Sequence, residues 1–565
     1  MHIIPKKLKI VSSHTGRKIT LGILLFLSIV VIAGIWYWNT HKKQIIRDKL
    51  ENAIAKKSDG LYKIKYDSLG INEIAGDLSV TNMNIVYDST KYAALIKNGS
   101  TPSILLKINI PGINISGVKT PRALIDKEIV AHKLQITNPT IEIFYTHSGK
   151  DSSRHVPAKE IYEQILGNLS LIRIDSAEIR NATIITKSLG KEKDSMLFTN
   201  TNITLVNVNV DSTSSTDTTR VLFAKEMNFT CEKLSWYAST KLYRYTIDQI
   251  VFNSADKDLT IQHIGVNPQL SEDAFAKSLR FQSDRFDADF NMIRIKNVST
   301  RQLMNEELIA DALEVNGGNV KIYRDLNIRR DNINRSGTYP HQQIMLAPIP
   351  FLVPKAIFSN IFIGYREKND ITKQVGDVRF YNCFFNINNL TNKRTALEKN
   401  NICSIDLTTR LLNVAPAKVS LLLPIGNKEG KFSIEGSAGG ADATTLNKLI
   451  VPMGMARIKK GNVNSVYFKL KGNNYRADGS VTVLYDNLNI EFLEMDDDKT
   501  FNKKHITSFI SNIVLKNSNP DDGETRVGEV HHERDMNRSF YNLIWKSVFE
   551  GMNKTIGNKR KMKRP

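Results

Sequence analysis

From Gly60 onward, apolar and polar residues alternate with a period of two, in short runs separated by Asn, Gly, Pro and Ser. Tyr62-Lys-Ile64-Lys-Tyr66, Leu105-Leu-Lys-Ile108-Asn-Ile110 and Ile203-Thr-Leu205-Val-Asn-Val208-Asn-Val210 are examples. Successive side chains of a strand point to opposite faces, so this alternation predicts half-buried strands joined by turns. Helical spacing is sparse and predicts helices over 158–169, 271–279, 300–312, 444–451 and 537–554. The body, residues 59–535, is therefore read as mainly β, a long and repetitive antiparallel sheet with a few short helices.

A weak repeat runs through it. Leu78-Ser-Val80-Thr-Asn82-Met-Asn-Ile85-Val-Tyr87 aligns without gaps with Leu134-Gln-Ile136-Thr-Asn138-Pro-Thr-Ile141-Glu-Ile143. Leu313-Glu-Val315-Asn-Gly317-Gly-Asn-Val320-Lys-Ile322 fits the same frame, and Ile172-Arg-Ile174-Asp-Ser176-Ala-Glu-Ile179 fits its first eight positions. Each unit reads as strand, tight bend, strand. Asn, Gly, Pro and Ser tolerate turn dihedrals, while the flanking alternation keeps one face apolar. The irregular spacing of the units argues against a propeller or a regular β-helix.

The N-terminal region has a different pattern. Residues 19–40 contain no charged side chain, and residues 19–38 form an apolar run of about 30 Å as a helix, the thickness of a hydrocarbon core. Ile19, Leu25 and Val30 lie within it, and Trp36, Tyr37 and Trp38 close it as an aromatic belt. A cleaved signal would have a shorter run and small residues at its end, so an uncleaved single-pass anchor is expected. Before it stands a basic head, residues 1–18, expected to be cytoplasmic, with the body exported. After it, Ile45, Ile46, Leu50, Ala53 and Ile54 give helical spacing over 41–58. At the other end, an amphipathic helix within 536–556 carries Trp545 and precedes a basic tail, 557–565, with Lys559, Arg560, Lys561, Lys563 and Arg564. Aromatic and basic residues side by side suit an anionic membrane surface, while a helix capping the open end of the sheet is the competing reading.

Composition adds limits. The chain has 565 residues and a formal net charge of +21. The head and the last seven residues hold ten of those charges, so the body is only mildly basic and no nucleic-acid partner is expected. Three cysteines cannot build a disulfide scaffold. Cys383 and Cys403 could pair in an oxidising compartment, or all three could be buried thiols. Gly436-Ser-Ala-Gly439-Gly440 lacks the Lys-Ser/Thr of a phosphate loop and is read as a flexible loop. His531-His532-Glu533 places neighbours on opposite strand faces, a poor metal site, and Asp521-Asp522-Gly523-Glu524 lacks EF-hand spacing. Nothing assembles a nucleophile, a base and an orienter. No enzyme, cofactor or metal is expected.

Taken together, the anchor, the helix after it, Gly60-Leu-Tyr-Lys-Ile-Lys-Tyr66, Ile74-Ala-Gly76-Asp-Leu78-Ser-Val80-Thr-Asn82 and the Leu134–Ile143 element resemble the AsmA-like family (AsmA/TamB type) of the bridge-like lipid-transfer superfamily. Asn316-Gly-Gly-Asn-Val320-Lys-Ile-Tyr323-Arg-Asp325, Gly364-Tyr365-Arg-Glu367 and Gly376-Asp-Val378-Arg-Phe380 look like a poorly characterised subgroup of it. The resemblance covers roughly residues 19–550. It implies a protein anchored in the inner membrane, facing the periplasm, whose curved sheet holds phospholipid acyl chains in an apolar groove on their way to the outer membrane. On the order of 25–30 strands stacked at about 4.8 Å reach at most about 120–145 Å, so an outer-membrane or periplasmic protein partner, or a local approach of the membranes, is expected to complete the span. Leu78, Val80, Ile85, Leu134, Ile136, Ile141, Ile143, Leu313, Val315, Val320 and Ile322, the apolar positions of the repeat, are then the groove-lining candidates. The alternative arrangement is a series of closed β-sandwiches forming a membrane-tethered scaffold with a protein partner.

Overall fold

The computed structural model describes residues 58–559 apart from 119–127, 147–170, 212–216, 496–500, 504–512 and several single or paired positions. The proposed anchor, nearly all of the helix after it and the helix expected over 158–169 lie outside the described residues. Among the described residues no helix is long and apolar enough to cross a membrane. The protein is mainly β, 60% strand and 14% helix, with one long, mostly antiparallel sheet. It divides into two compact units: the chain up to Ile264 with Arg294–Glu307, and Gly265–Ile293 with Leu308 onward.

The first unit is built from β1 (Tyr62–Lys65), β2 (Ser68–Asn72), β3 (Asp77–Tyr87), β4 (Ile104–Ser116), β5 (Glu128–Thr137), β6 (Thr140–Tyr145), β7 (Leu171–Ser188), β8 (Lys191–Val210), β9 (Ala224–Tyr237) and β10 (Tyr243–Asn253). β1 and β2 both pair with β3, and β3 pairs with β4. β4 pairs with β5 and β6, which run parallel to β7; β7 to β10 then follow as an antiparallel meander. Two further strands, β11 (Asp258–Pro268) and β12 (Arg285–Lys296), contribute residues to both units.

The second unit holds β13 (Leu308–Ile309), β14 (Ala312–Asp325), β15 (Phe351–Lys368), β16 (Val375–Thr391), β17 (Ile402–Leu411), β18 (Ala415–Pro424), β19 (Phe432–Ala438), β20 (Ala441–Asp442), β21 (Ala456–Gly472), β22 (Arg476–Met495), β23 (Phe501–Lys503), β24 (Ile513–Leu515), β25 (Gly528–Glu533) and β26 (Gly557–Lys559). β14 runs parallel to β15, and antiparallel pairing continues through β16, β17, β18, β19, β21, β22 and β25. The parallel pairs depart from the all-antiparallel expectation. A parallel pair requires a crossover, and in this unit residues 326–350 supply it.

The helices are α1 (Ser89–Lys97), α2 (Glu272–Ser278), α3 (Thr300–Met304), α4 (Pro340–Gln343), α5 (Arg394–Leu397), α6 (Asn447–Gly454) and α7 (Phe540–Ile556). α2 and α7 fall where spacing placed them, with Ser271 and Ser539 as N-caps accepting bonds from the amides of Ala274 and Asn542. The helix expected over 300–312 stops at Met304, because Leu308–Ile309 and Leu313 pair with β15 instead. α1 was not foreseen; it is a surface helix without a buried residue, so apolar periodicity could not mark it.

α7 packs on β22 and β25 through a glycine contact. A β-carbon on Gly528 would meet the backbone of Gly551, and one on Gly551 would meet Val481 and Val530. Gly551→Leu is therefore expected to lift α7 from the sheet at a cost of about 1–3 kcal/mol, read as a lowered Tm of the second unit.

Candidate functional site

The candidate site is a face, not a pocket. In the repeat units the expected tight bend is a single left-handed residue inside a continuous strand in β3 and β14, and a break between strands at β5 and β6. Asn82 has φ of 50° and Gly317 of 88°. Each takes the left-handed conformation and reverses the alternation within its strand while the register with the neighbour holds, Thr81 with Gly112 and Met83 with Ile110, Asn316 with Ser359 and Gly318 with Ile361. Leu78 and Val80 before Asn82 and Met83 and Ile85 after it are consequently all buried on one face. Asn181, Asn200, Gln249, Asn360 and Asn382 take the same conformation in their strands, and Asn138 takes it in the break between β5 and β6, all with φ between 47° and 57°. Asn is the non-glycine residue that enters this conformation most readily, which gives the chain's many Asn residues a structural use.

The registers then align apolar side chains across the strands. In the first unit one row reads Ile64, Ile85, Ile108, Ile141, Ile184, Phe198, Leu234 and Ile247, one residue from each of eight strands. On the other side of these left-handed residues a second row reads Leu69, Val80, Ile113, Ile136, Ile179, Ile203, Phe229 and Phe252. At about 4.8 Å per strand each row is roughly 34 Å long. The opposite face carries Ser79, Asn114, Gln135, Glu178, Thr204, Asn228 and Asn253 in register. Most residues of the apolar rows belong to one contiguous cluster or pack against it. Burial is graded: the row members of β1 to β6 are at most 5% exposed, whereas Ile179, Ile184, Phe198, Phe229 and Ile247 are only half-buried.

The second unit repeats the arrangement. Val315, Phe358, Phe385, Leu407, Val419, Gly436, Phe468 and Val481 form one row, and Leu313, Ala356, Ile387, Ile405, Leu421, Ile434, Leu470, Gly479 and Val530 the next. Behind them Glu314, Ile357, Asn386, Asp406, Ser420, Glu435 and Lys469 face the other way. α7 closes the β22–β25 end, with Gly551 against Val481 and Val530, and Phe540 and Leu543 belong to the same buried cluster. Phe358, Phe385, Leu407 and Val419 remain half-buried.

All eleven lining candidates lie on these faces. Leu78, Val80, Ile85, Leu134, Ile136, Ile141 and Ile143 are buried in the first unit's cluster; Val315 is buried, and Leu313, Val320 and Ile322 are half-buried in the second unit. Single-strand reading missed their partners in the rows, because register is set between segments distant in sequence. The nearest signal was the shared parity of the repeat units about the Asn or Gly position.

The remaining candidates fall as follows. Trp545 is 52% exposed on the outer side of α7 and stacks on Phe549, with Tyr541 one turn before it. Phe540, the residue before Tyr541, packs inward against Tyr339 and Phe432. Lys559 ends β26, while Arg560, Lys561, Lys563 and Arg564 lie outside the described residues. All three cysteines are free and buried; Cys383 contacts the Thr409 hydroxyl at 3.2 Å, and burial pushes the Cys403 thiol up to about 11. Gly436 is not in a loop, because β19 runs on to Ala438 and packs Gly436 against Phe468. His531 and His532 turn to Asp478 and Glu550 respectively.

The crossover before β15 brings one more unusual group. His341 in α4 is fully buried beside Tyr339, with neither ring nitrogen partnered, and burial lowers its pKa to about 4. The unfolded chain therefore binds a proton between about pH 6.5 and 4 that the folded one refuses. Stability is full above that window and falls as pH drops through it, by on the order of 3 kcal/mol. His341→Phe is expected to flatten the dependence, read from chemical denaturation at pH 7 and pH 4.5.

The chain matches no family model and no curated protein.

Proposed function

We propose that the protein is a membrane-anchored envelope protein that holds phospholipid acyl chains along the apolar face of its sheet, between inner and outer membrane. The observation that carries this reading is the pair of apolar rows in each unit, running from strand to strand, with Ile179, Ile184, Phe198, Phe229 and Ile247 in the first unit and Leu313, Phe358, Phe385, Leu407 and Val419 in the second only half-buried. Half-exposed Ile, Leu and Phe in a line are costly in water, and a long apolar ligand relieves that cost along its whole length. Left-handed residues such as Asn82 and Asn181 keep apolar side chains on one face within a continuous strand. The residues that do the work are side chains of the rows, and no acid, base or nucleophile is required. In the same reading, residues 19–38 anchor the chain, and Tyr541, Trp545 and Phe549 with the basic tail meet a membrane surface.

A second reading, a tethered scaffold of closed β layers with a protein partner, is favoured by the tight burial of β1–β6. Lipid content separates the two. With a protease site inserted before Gly60, the full chain is expressed in membranes, and the body is released and washed free of detergent. Near-stoichiometric phospholipid by mass spectrometry is the expected result. A lipid-free, monodisperse body would favour the scaffold.

A further inference from the structure

At one rim of the second unit's apolar face the row chemistry changes. After Val320 and Ile322 the next inward position of β14 is Arg324, and beside it on β15 stand Tyr365 and Glu367. Arg324 is only 11% exposed and is neutralised by Asp284, with Nε–Oδ1 at 2.6 Å and Nη2–Oδ2 at 2.8 Å. The Tyr365 hydroxyl donates to Glu367. These groups therefore use up each other's charge.

Their neighbours do not. Arg280 and Arg329 flank the Phe281 ring, with Cζ 5.2 Å and 5.8 Å from its centre. The Gln282 amide donates to the Arg329 carbonyl at 2.9 Å and its side chain to that of Leu326 at 3.0 Å, which fastens the two segments together. Arg280, Arg329 and Arg330 are exposed, and among the described residues none has a carboxylate partner. Arg538 is a different case: its side chain is 17% exposed, yet its closest carboxylate, Asp535, stands 3.7 Å away. Burial, followed by the positive charges of Arg330 and Arg324, lowers its pKa against the opposing pull of Asp535 and Glu367. The loop after Arg330 is locked to the chain before Arg538 by Asn537 Nδ2 to Asn332 Oδ1 at 2.9 Å and by the Arg335 amide to the Met536 carbonyl at 2.8 Å. By contrast Arg366 and Lys368 nearby are matched by Glu272 and Asp273.

Three exposed guanidinia without carboxylate partners, beside a mostly buried Arg538 whose ion pair with Asp535 is long, leave positive charge that an anion would balance. Arginine's planar fork suits the paired oxygens of a phosphate. We propose that Arg280, Arg329, Arg330 and Arg538 form a binding site for a phosphate ester, the head group of a phospholipid whose acyl chains lie on the adjoining apolar face of β14–β16. This rests on the lipid reading above and gives the phosphate of that phospholipid cargo a place at the rim of the face. The neutral glycerolipids of the same chain length lack the group the arginines would bind.

The test uses the full chain in mixed micelles, with retained ligand read by native mass spectrometry. The probes are dioleoyl phosphatidylglycerol, dioleoylglycerol and inorganic phosphate. The wild type is expected to retain phosphatidylglycerol about tenfold over dioleoylglycerol, a preference of the size one charge-assisted site provides. The triple variant R329Q/R330Q/R538Q should bring that ratio close to one with dioleoylglycerol retention unchanged. R457Q/K459Q/K469Q, which removes equal charge elsewhere, should leave it intact. Should loss of the buried Arg538 disturb folding, R329Q/R330Q alone is expected to lower the ratio at least threefold. Equal retention of both lipids by the wild type would overturn the site while leaving the groove. Arginine-dependent binding of inorganic phosphate, unaided by acyl chains, would assign the site to free phosphate and overturn the head-group proposal. Arginine-dependent lipid phosphate binding without any dioleoylglycerol retention would instead count against the groove.

Discussion

Ile108→Asp is expected to unfold the first unit. Ile108 is 1% exposed and stands in the middle of a row between Ile85 and Ile141. Emptying such a site costs about 2–5 kcal/mol. An unpaired carboxylate there must also be desolvated or protonated at a cost of several more. Against a total of about 5–15 kcal/mol for a domain, that is enough to abolish the folded state. The measurement is limited proteolysis with thermal unfolding, and the expected outcome is rapid cleavage within residues 60–264. Asn114→Asp, on the exposed polar face of the same strand, is expected to shift stability by no more than about 0.5 kcal/mol.

The second large effect concerns cargo. Phe358 and Phe385 face each other across β15 and β16, with ring centres 6.3 Å apart, and both are half-buried. The double change Phe358→Asp with Phe385→Asp places two carboxylates on the apolar line where water already reaches. The unit is expected to stay folded, and co-purifying phospholipid should fall at least tenfold, because an acyl chain crossing that point must desolvate a charge. Lys355→Asp with Ile357→Asp, on the opposite face of β15, should leave the lipid content unchanged. Circular dichroism on each protein separates lost cargo from lost fold.

Much of this was legible in the chain before any coordinates. Period-two alternation marked the strands, because a sheet with one apolar face imposes it locally. The shared Asn or Gly of the repeat was also visible, and so was the parity about it. It reads as a turn, whereas Asn82 and Gly317 are left-handed residues inside continuous strands. A left-handed residue serves either purpose, and only the partner strand decides which. The rows themselves were not legible, since Ile108 meets Ile85 and Ile141 through pairings between distant segments. The parallel joins and the inward turn of Phe540 were hidden for the same reason. So was the arginine cluster, which gathers residues 280, 324, 329, 330 and 538 from well-separated parts of the chain.

The central claim is that a lipid lies on one face of the sheet and not on the other. β15 offers adjacent positions for testing it, Phe358 on the apolar side and Ile357 behind it. A photoreactive amino acid at position 358, 315 or 385 of the full chain in its membranes is expected to crosslink to radiolabelled phospholipid on illumination. The same residue at 357, 314 or 386 should give little or none. Equal labelling of both faces, or no labelling at 358, 315 and 385, would contradict a lipid path along the apolar rows.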